Sequence, residues 1–495
     1  MLQRFFAAEP QRPLQPLILH PRAAPPGHLR VWAGSFGSAP TPPRWSLDGR
    51  AVAPTALHAG GDGLQPTHDH GARSFTGVFE LGPGDGVRAG HLHRLQLEVS
   101  GRTAALELEA LPASIPESDA LRVLLVSCYH QAEDPAGAVG DAVSRIPEAQ
   151  RPHLSLLMGD QVYLDLPTIA DFPSDEANLA RRFERDYSLN WSGTDGYARL
   201  LAAAPSLASP DDHEYWNNFP HASPIIQNSW TSDGRTSWKN AADALFDAYQ
   251  LARPAARGDE LVLDIEPLSI LMLDQRSQRN DEPRTTLADG VLDRVEAWVD
   301  RLLADRLYGA VVTGQSLLDE PMSELQGNIA DFTLANYGDY AALLGQLDRL
   351  AAAGRPVLLL TGDVHWGRVT QIREGGRVRF YEVISSPSSL VTTVGSDQLS
   401  GLGEGVRRLF GREPDPWWRH ADPEDPPQRP ARHVLGPRTW CRCLHKQKGN
   451  QVAMLGLRRR GGGLEMTVTY YPITDYPNRR TDPPVVVGPY SLPSH

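Results

Sequence analysis

The stretch PVLLLTGDVHW, residues 356–366, runs from a compact apolar segment straight into Gly362, Asp363 and His365. A run this short and this apolar suits a strand covered on both faces. Polar groups crowded at its end suit a ligand site at the carboxyl edge of a sheet. The same pattern recurs elsewhere in the chain. RVLLVS (122–127) leads into Cys128, Tyr129 and His130, and LSLLM (154–158) leads into Gly159, Asp160, Tyr163 and Asp165. PSLASPDDHEYWNN (205–218) delivers Asp211, Asp212, His213, Glu214, Asn217 and Asn218, while LSILML (268–273) and GAVVTG (309–314) are further buried-strand patterns. Helical periods lie between them. Val291, Val295, Val299 and Leu302 keep one apolar face, and a second helix runs from about Tyr337 to Ala353, with Tyr340, Leu344 and Leu347 on one side and Gly354 as its stop. Strands alternating with helices predict an α/β region.

Residues from about 28 to 112 have a different texture. LRVWAGSF, SFTGVFEL, HRLQLEVS and AALELEAL alternate apolar and polar positions between turn-rich stretches such as GPGDG at 82–86. This predicts an N-terminal antiparallel β-sandwich domain with an irregular leader over 1–117. A catalytic α/β domain is expected over 118–495. Within it, 401–440 is too rich in Pro and charge for core and reads as a long surface loop, and a C-terminal β-hairpin turns at the triple glycine 461–463.

Composition narrows the function. The 495 residues hold 48 Lys+Arg against 60 Asp+Glu, a formal charge of −12, which argues against long nucleic acid and against a membrane surface as partner. No apolar run approaches the roughly 18 residues of a spanning helix. The N-terminus is a poor signal peptide, and the three cysteines (Cys128, Cys441, Cys443) form no disulfide framework, so a cytoplasmic location is expected, with secretion left open. Nothing in the sequence fixes an oligomeric state.

Singly, each strand-end group has a plain reading. Gly159-Asp160 suits a turn and cap, Asp211-Asp212 an N-cap pair, and Cys128 a small buried hydrophobe. Together they are harder to dismiss, because carboxylates converging at one sheet edge repel unless cations neutralise them. A two-ion site joined by a bridging carboxylate accounts for the convergence.

The order strand–GD, DHE, GDVH resembles the calcineurin-like metallophosphoesterases. The blocks Ser127-Cys128, Gly159 to Tyr163, Asp211 to Asn218, Asp274 to Arg279 and Gly362 to His365 resemble one branch, the alkaline phosphatase D (PhoD-type) family, over about residues 120–390. The resemblance implies a metallophosphoesterase α/β sandwich and hydrolysis of small phosphate esters, monoester or diester, by metal-activated hydroxide. It implies that Cys128, Asp160, Tyr163 and His365 hold Fe3+, and that Asp160 bridges to a Ca2+ site of Asp212 and Asp363, with Asn217 and Asp274 as further ligands. Mn2+ or Zn2+ are possible substitutes. His213 is then the proton donor to the leaving group. Arg276 either grips phosphate oxygens or pairs with Asp274 or another carboxylate. The usual superfamily His is absent, and Gln315 stands at the corresponding strand end. Two alternatives stay open: a phosphodiesterase of phospholipase-D or nuclease type, and a non-catalytic metal-dependent anion-binding protein.

Lesser features carry plainer readings. Cys441, Cys443 and His445, with His433 upstream, have no established zinc spacing, and THDH (67–70) reads as a solvated loop. Arg458–Arg460 read as the polar flank of the hairpin, and Trp417-Trp418 as loop aromatics.

Overall fold

The computed structural model describes residues 14–493 apart from 59, 135, 168–170, 252–256, 282–283, 324–330, 390–427 and 474–482. Its centre is two β-sheets packed face to face. One, of eleven strands, places Leu121–Val126, Leu154–Met158 and Ser206–Ser209 side by side and parallel. The other, of eight, aligns Leu268–Met272, Tyr308–Thr313, Val357–Thr361 and Arg377–Ile384 in parallel.

Period-two side-chain alternation explains why these runs are apolar throughout. Leu121, Val123 and Leu125 meet Ile270, Val312 and Leu358 between the sheets. The intervening Leu124 and Val126 face outward onto Phe183, Tyr187 and Trp238, which belong to the helices Glu176–Ser192 and Ser232–Tyr249. On the other outer face, Leu271, Val311 and Leu359 receive Val295, Val299 and Leu302 of helix Val291–Asp305, together with Leu344 and Leu347 of helix Tyr340–Ala352. The result is a layered helix–sheet–sheet–helix sandwich. Full burial of each such Leu or Val contributes about 1.5–3 kcal/mol, so the three apolar interfaces dominate the stability.

The N-terminal strands are antiparallel. Leu29–Phe36 and Ser74–Leu81 pack against a four-stranded sheet that includes Arg44–Leu47, Leu92–Val99 and Arg102–Glu109, with Val31, Phe79, Leu95 and Leu97 between them. Their sheet continues into the α/β region. Leu17–Arg22 pairs antiparallel with Leu29–Phe36 on one side and meets Ser206 in parallel through Arg22 on the other. LILHPR lies between two strands and is buried along its whole length, while residues 1–13, where an irregular leader is expected, lie outside the described residues.

Other expectations change as well. Of the loop expected at 401–440, residues 401–427, including Trp417-Trp418, lie outside the described residues. Gln428–Pro430 is instead a strand and Arg432–Leu435 a short helix, anchored by Val434 in the core. The expected C-terminal hairpin, Gln451–Arg460 with Gly463–Pro472, is present and joins the larger sheet. Gln451–Arg460 pairs with Leu121–Val126, and a further strand, Val485–Leu492, follows beside Gly463–Pro472. THDH is only half solvated: Thr67 and His68 are buried, and His68 pairs with Glu184, which also accepts from Ser74 and Arg73, while Asp69 is exposed. Cys441 and Cys443 face the helical core from their strand, and among the described residues they join no ion-sized donor cluster. No described helix is long and apolar enough to cross a membrane.

Candidate metal centre

The carboxyl ends of the parallel strands of both sheets meet at one edge. Several turns there are unusually sharp. Among the described residues eight non-glycines have positive φ, and five of them sit at this edge: Cys128, Asp160, Asn218, Asp363 and His365. Left-handed backbone costs an L-residue free energy and persists only where the surroundings fix it, which is characteristic of sites that aim side chains. Gly362 is needed for close approach, since a Cβ there would collide with the Met158 carbonyl and with Ser127. Gly159 has a left-handed φ of 86° and backs directly onto Asp211.

Four carboxylates converge. Asp160, Asp211, Asp212 and Asp363 can each place one oxygen within 4.8 Å of the others, and Asp160, Asp212 and His213 form an overlapping group of the same size. Three of the four aspartates are buried, while Asp363 is partly open, as are His365, His130 and Asn217. The floor is closed and this rim admits a ligand.

The electrostatics are those of a site short of positive charge. Burial first, then the Cys128 thiol, Asp212 and Asp211, push the Asp160 carboxyl well above its ordinary range, with His213 pulling the other way. Burial with Asp211 and Asp212 does the same to Asp363. Asp211 is pushed up to about 6 by burial and Asp212, against the pull of Arg276. Burial and the Asp363 carboxylate take the Cys128 thiol up to about 12.

Two buried oxygens, Tyr163 Oη and Asp211 Oδ2, have no hydrogen-bond partner. Groups left in this condition cost stability unless something supplies the missing charge. A thiol, a phenol without a partner and four crowded carboxylates are a donor set that fits cations.

Cys128 Sγ lies 3.4 Å from Asp160 Oδ2 and 3.1 Å from Ser386 Oγ, and it packs on Tyr163. The His365 backbone amide donates to the same Ser386 hydroxyl at 3.2 Å. His213 stacks on Tyr163 with ring centroids 4.2 Å apart, and its Nδ1 meets Asp165 Oδ1 at 2.8 Å. Burial opposes a proton on His213, yet Asp165, Asp212 and Asp160 together hold its pKa well above the ordinary imidazole value.

The structure therefore brings Cys128, Asp160, Tyr163, Asp212, His213 and Asp363 together, with His365 one hydroxyl away. Asp274 is placed differently, and Arg276 takes the second of its two expected roles, pairing with carboxylates. Asp274 spends both oxygens on the turn that follows its strand, accepting from the backbone of Arg276 and Ser277 on one and of Gly258 on the other. Asn217 donates its backbone amide to Asp165. Asp274 does not join the carboxylate cluster among the described residues. Arg276 is wholly buried: its Nε donates to Asp211 at 2.6 Å, Nη1 to the Phe219 carbonyl at 2.8 Å and Nη2 to Asp331 at 2.6 Å. Its partners are thus Asp211 and Asp331, while the Asp274 carboxylate meets only its backbone.

Four residues of consequence were not assigned roles from the sequence. Asp211 stands in the cluster itself. Asp165 orients His213. Glu214 stitches two strand ends together by accepting from the amides of Asp160, Gln161 and Asp211 and from Gln250. Asp331 holds Arg276, Arg279 and Gln315. The first three lie inside the quoted strand-end blocks, so their positions were a signal. Asp331 lies far from any block, and only the fold reveals it.

No family model and no curated protein matches the chain. Solved structures do. The structure of PhoD aligns with a TM-score of 0.57 at 12% identity, covering 95% of this chain and 88% of that one. A dimetal phosphatase from Danio rerio aligns with a TM-score of 0.34 at 10% identity, covering 75% of this chain and all of that one. The first similarity establishes a PhoD-like fold, as the motif order implies.

Proposed function

We propose that this protein is a metal-dependent phosphoester hydrolase acting on small phosphate esters. The observation that carries the reading is the meeting of Asp160, Asp211, Asp212 and Asp363 beside His213, whose ring Asp165 holds, at the edge where strands of both sheets end. On this reading Cys128, Asp160, Tyr163 and His365 hold Fe3+, whose preference for anionic thiolate and phenolate donors suits that pair. Asp160, Asp212 and Asp363 offer oxygens to Ca2+. Asp211 is their neighbour, tied back by Arg276. Bound cations supply the charge that draws in a phosphate and acidifies a water.

The chain's own groups do the rest. Asp165, paired with His213 at 2.8 Å, favours a proton on the imidazole, which can deliver it to a departing alkoxide. Asp165, by accepting at Nδ1, fixes the ring. Glu214 positions two strand ends at once. Arg276 is a positioning residue whose donors hold Asp211 and Asp331 in register. A protein that only stored an anion would have no use for an acid so placed.

The test is an assay of purified, metal-loaded protein on an aryl phosphate monoester and the matching diester. Elemental analysis and a visible spectrum accompany it. Hydrolysis of either ester, iron with calcium, and a phenolate charge-transfer band are expected. Loaded protein that turns over neither ester overturns the proposal, and a colourless protein carrying zinc alone overturns the ligand assignment.

A further inference from the structure

The opposite end of the same strands holds a second concavity. Leu268–Met272, Tyr308–Thr313 and Val357–Thr361 begin there, and the glycine turn between Gln451–Arg460 and Gly463–Pro472 borders it. The cavity has a volume of about 700 Å³ and is lined by Arg306, Arg355, Arg459, Arg460, Tyr308 and Glu117. Small-molecule sites span roughly 300–1,000 Å³. At about 3.3 Å per residue, a strand the length of Tyr308–Thr313 separates this cavity from the carboxylate cluster by roughly 20 Å.

Four guanidiniums face one lining carboxylate, in a chain whose net charge is −12. Arg460 is paired with Glu465 at 2.8 Å. The others are oriented without being neutralised. Arg459 Nη2 donates to the Glu266 carbonyl at 2.9 Å, and its buried Nε has no partner. Arg355 Nη1 donates to the Leu302 carbonyl at 3.3 Å although the residue is only 6% exposed. Arg306 caps helix Val291–Asp305 in a left-handed conformation. Among the described residues, no carboxylate stands within ion-pair distance of Arg306, Arg355 or Arg459.

Like charges gathered in a concave space repel until an anion joins them. Guanidiniums fixed by backbone carbonyls keep N–H groups free for the forked geometry that suits phosphate oxygens. We propose that this cavity is a second ligand site, for a small molecule carrying a diphosphate or longer phosphate chain. Its concavity and the overall acidic charge exclude long polyanions. The inference does not depend on the hydrolase reading, because it uses none of the same residues.

The probe is pyrophosphate, titrated by calorimetry into the full chain, into the double variant Arg306→Ala/Arg460→Ala, and into Asp363→Asn. Both arginines are on the surface, so the double variant should fold, and Arg306→Glu serves as a second variant with a larger expected effect. Affinity should fall at least about tenfold in the double variant, as expected for lost charge-assisted contacts, and persist in Asp363→Asn. Aryl phosphate hydrolysis by the double variant should remain unchanged. ADP separates the sources: tighter binding than pyrophosphate assigns a nucleotide, and weaker binding assigns an inorganic phosphate chain. Pyrophosphate affinity unchanged in both arginine variants, lost in Asp363→Asn, or matched by citrate overturns the proposal.

Discussion

At the carboxyl ends of the parallel strands, aspartates crowd within ion-sized distance and hold partly unsatisfied oxygens, whereas at the amino ends arginines gather around a cavity with one carboxylate. The same strands carry both. The difference lies in how each end handles its own charge. The acidic end binds part of it internally, through Arg276 on Asp211 and His213 on Asp165, and is left with a surplus only cations can cancel. The basic end orients its guanidiniums with carbonyls, which aim them and leave their charge in place. One end is organised to take cations and the other an anion, so total charge says little about either.

The largest effect should come from breaking the acidic end outright. Asp160→Asn should lower hydrolysis at least about a thousandfold, the scale of removing a transition-state charge stabiliser. The same substitution should raise the thermal midpoint of chelator-stripped protein, because it removes one charge from a mutually repelling set. Turnover and unfolding of the two forms check this, and a stripped variant less stable than stripped wild type would sink the repulsion argument.

Next comes the acid. His213→Gln should reduce kcat by about 10²–10⁴, the usual range for a positioned general acid, with KM little changed. Asp165→Asn should reduce it less while moving the alkaline limb of the pH–rate profile to lower pH, since Asp165 raises the His213 pKa. Full turnover by His213→Gln would remove the histidine from the chemistry.

A smaller effect concerns packing more than catalysis. Arg276→Met leaves the buried Asp211 without its cation while Asp331 keeps Arg279, and breaking a buried pair costs about 3–5 kcal/mol. Urea unfolding measures it. A change below about 1 kcal/mol, the level of an exposed pair, would show that the guanidinium is not structurally tied as its contacts imply.

The same contrast explains what could be read in the sequence. Strand ends with GD, DDHE and GDVH were legible because buried strands announce themselves as apolar runs, and their next residues must then share one edge. Cys128, Asp160, Asp212, His213 and Asp363 follow from that logic. For Arg276 the sequence leaves open a grip on substrate or a pair with Asp274 or another carboxylate, and the partners it finds arrive from elsewhere: Asp211 from another strand end and Asp331 from a distant loop. Asp274 looked like a ligand by its motif, yet nearby amides claim its oxygens, a local competition spacing does not show. The arginine cavity was invisible for a related reason. Arg306, Arg355 and Arg459 are far apart in sequence and converge only when strands of both sheets begin together.

The finest test is pH dependence of the gap in thermal midpoint between metal-loaded and chelator-stripped protein. In the stripped form, Asp211 titrates near 6 and burial holds Asp160 and Asp363 well above the ordinary range. A carboxyl whose folded pKa is raised binds its proton more readily folded than unfolded. Stability of the stripped form is therefore gained as pH falls through the folded value, and it stops changing below the unfolded value. Groups outside the site drop out of the difference. His20, pushed down to about 3 by burial, makes both forms less stable as pH falls below its unfolded value. The gap should therefore shrink between about pH 7.5 and about pH 5.5, where the carboxylates begin to take up protons in place of cations. A gap that stays constant or widens over that interval would mean that the four aspartates are not the groups whose repulsion the cations relieve.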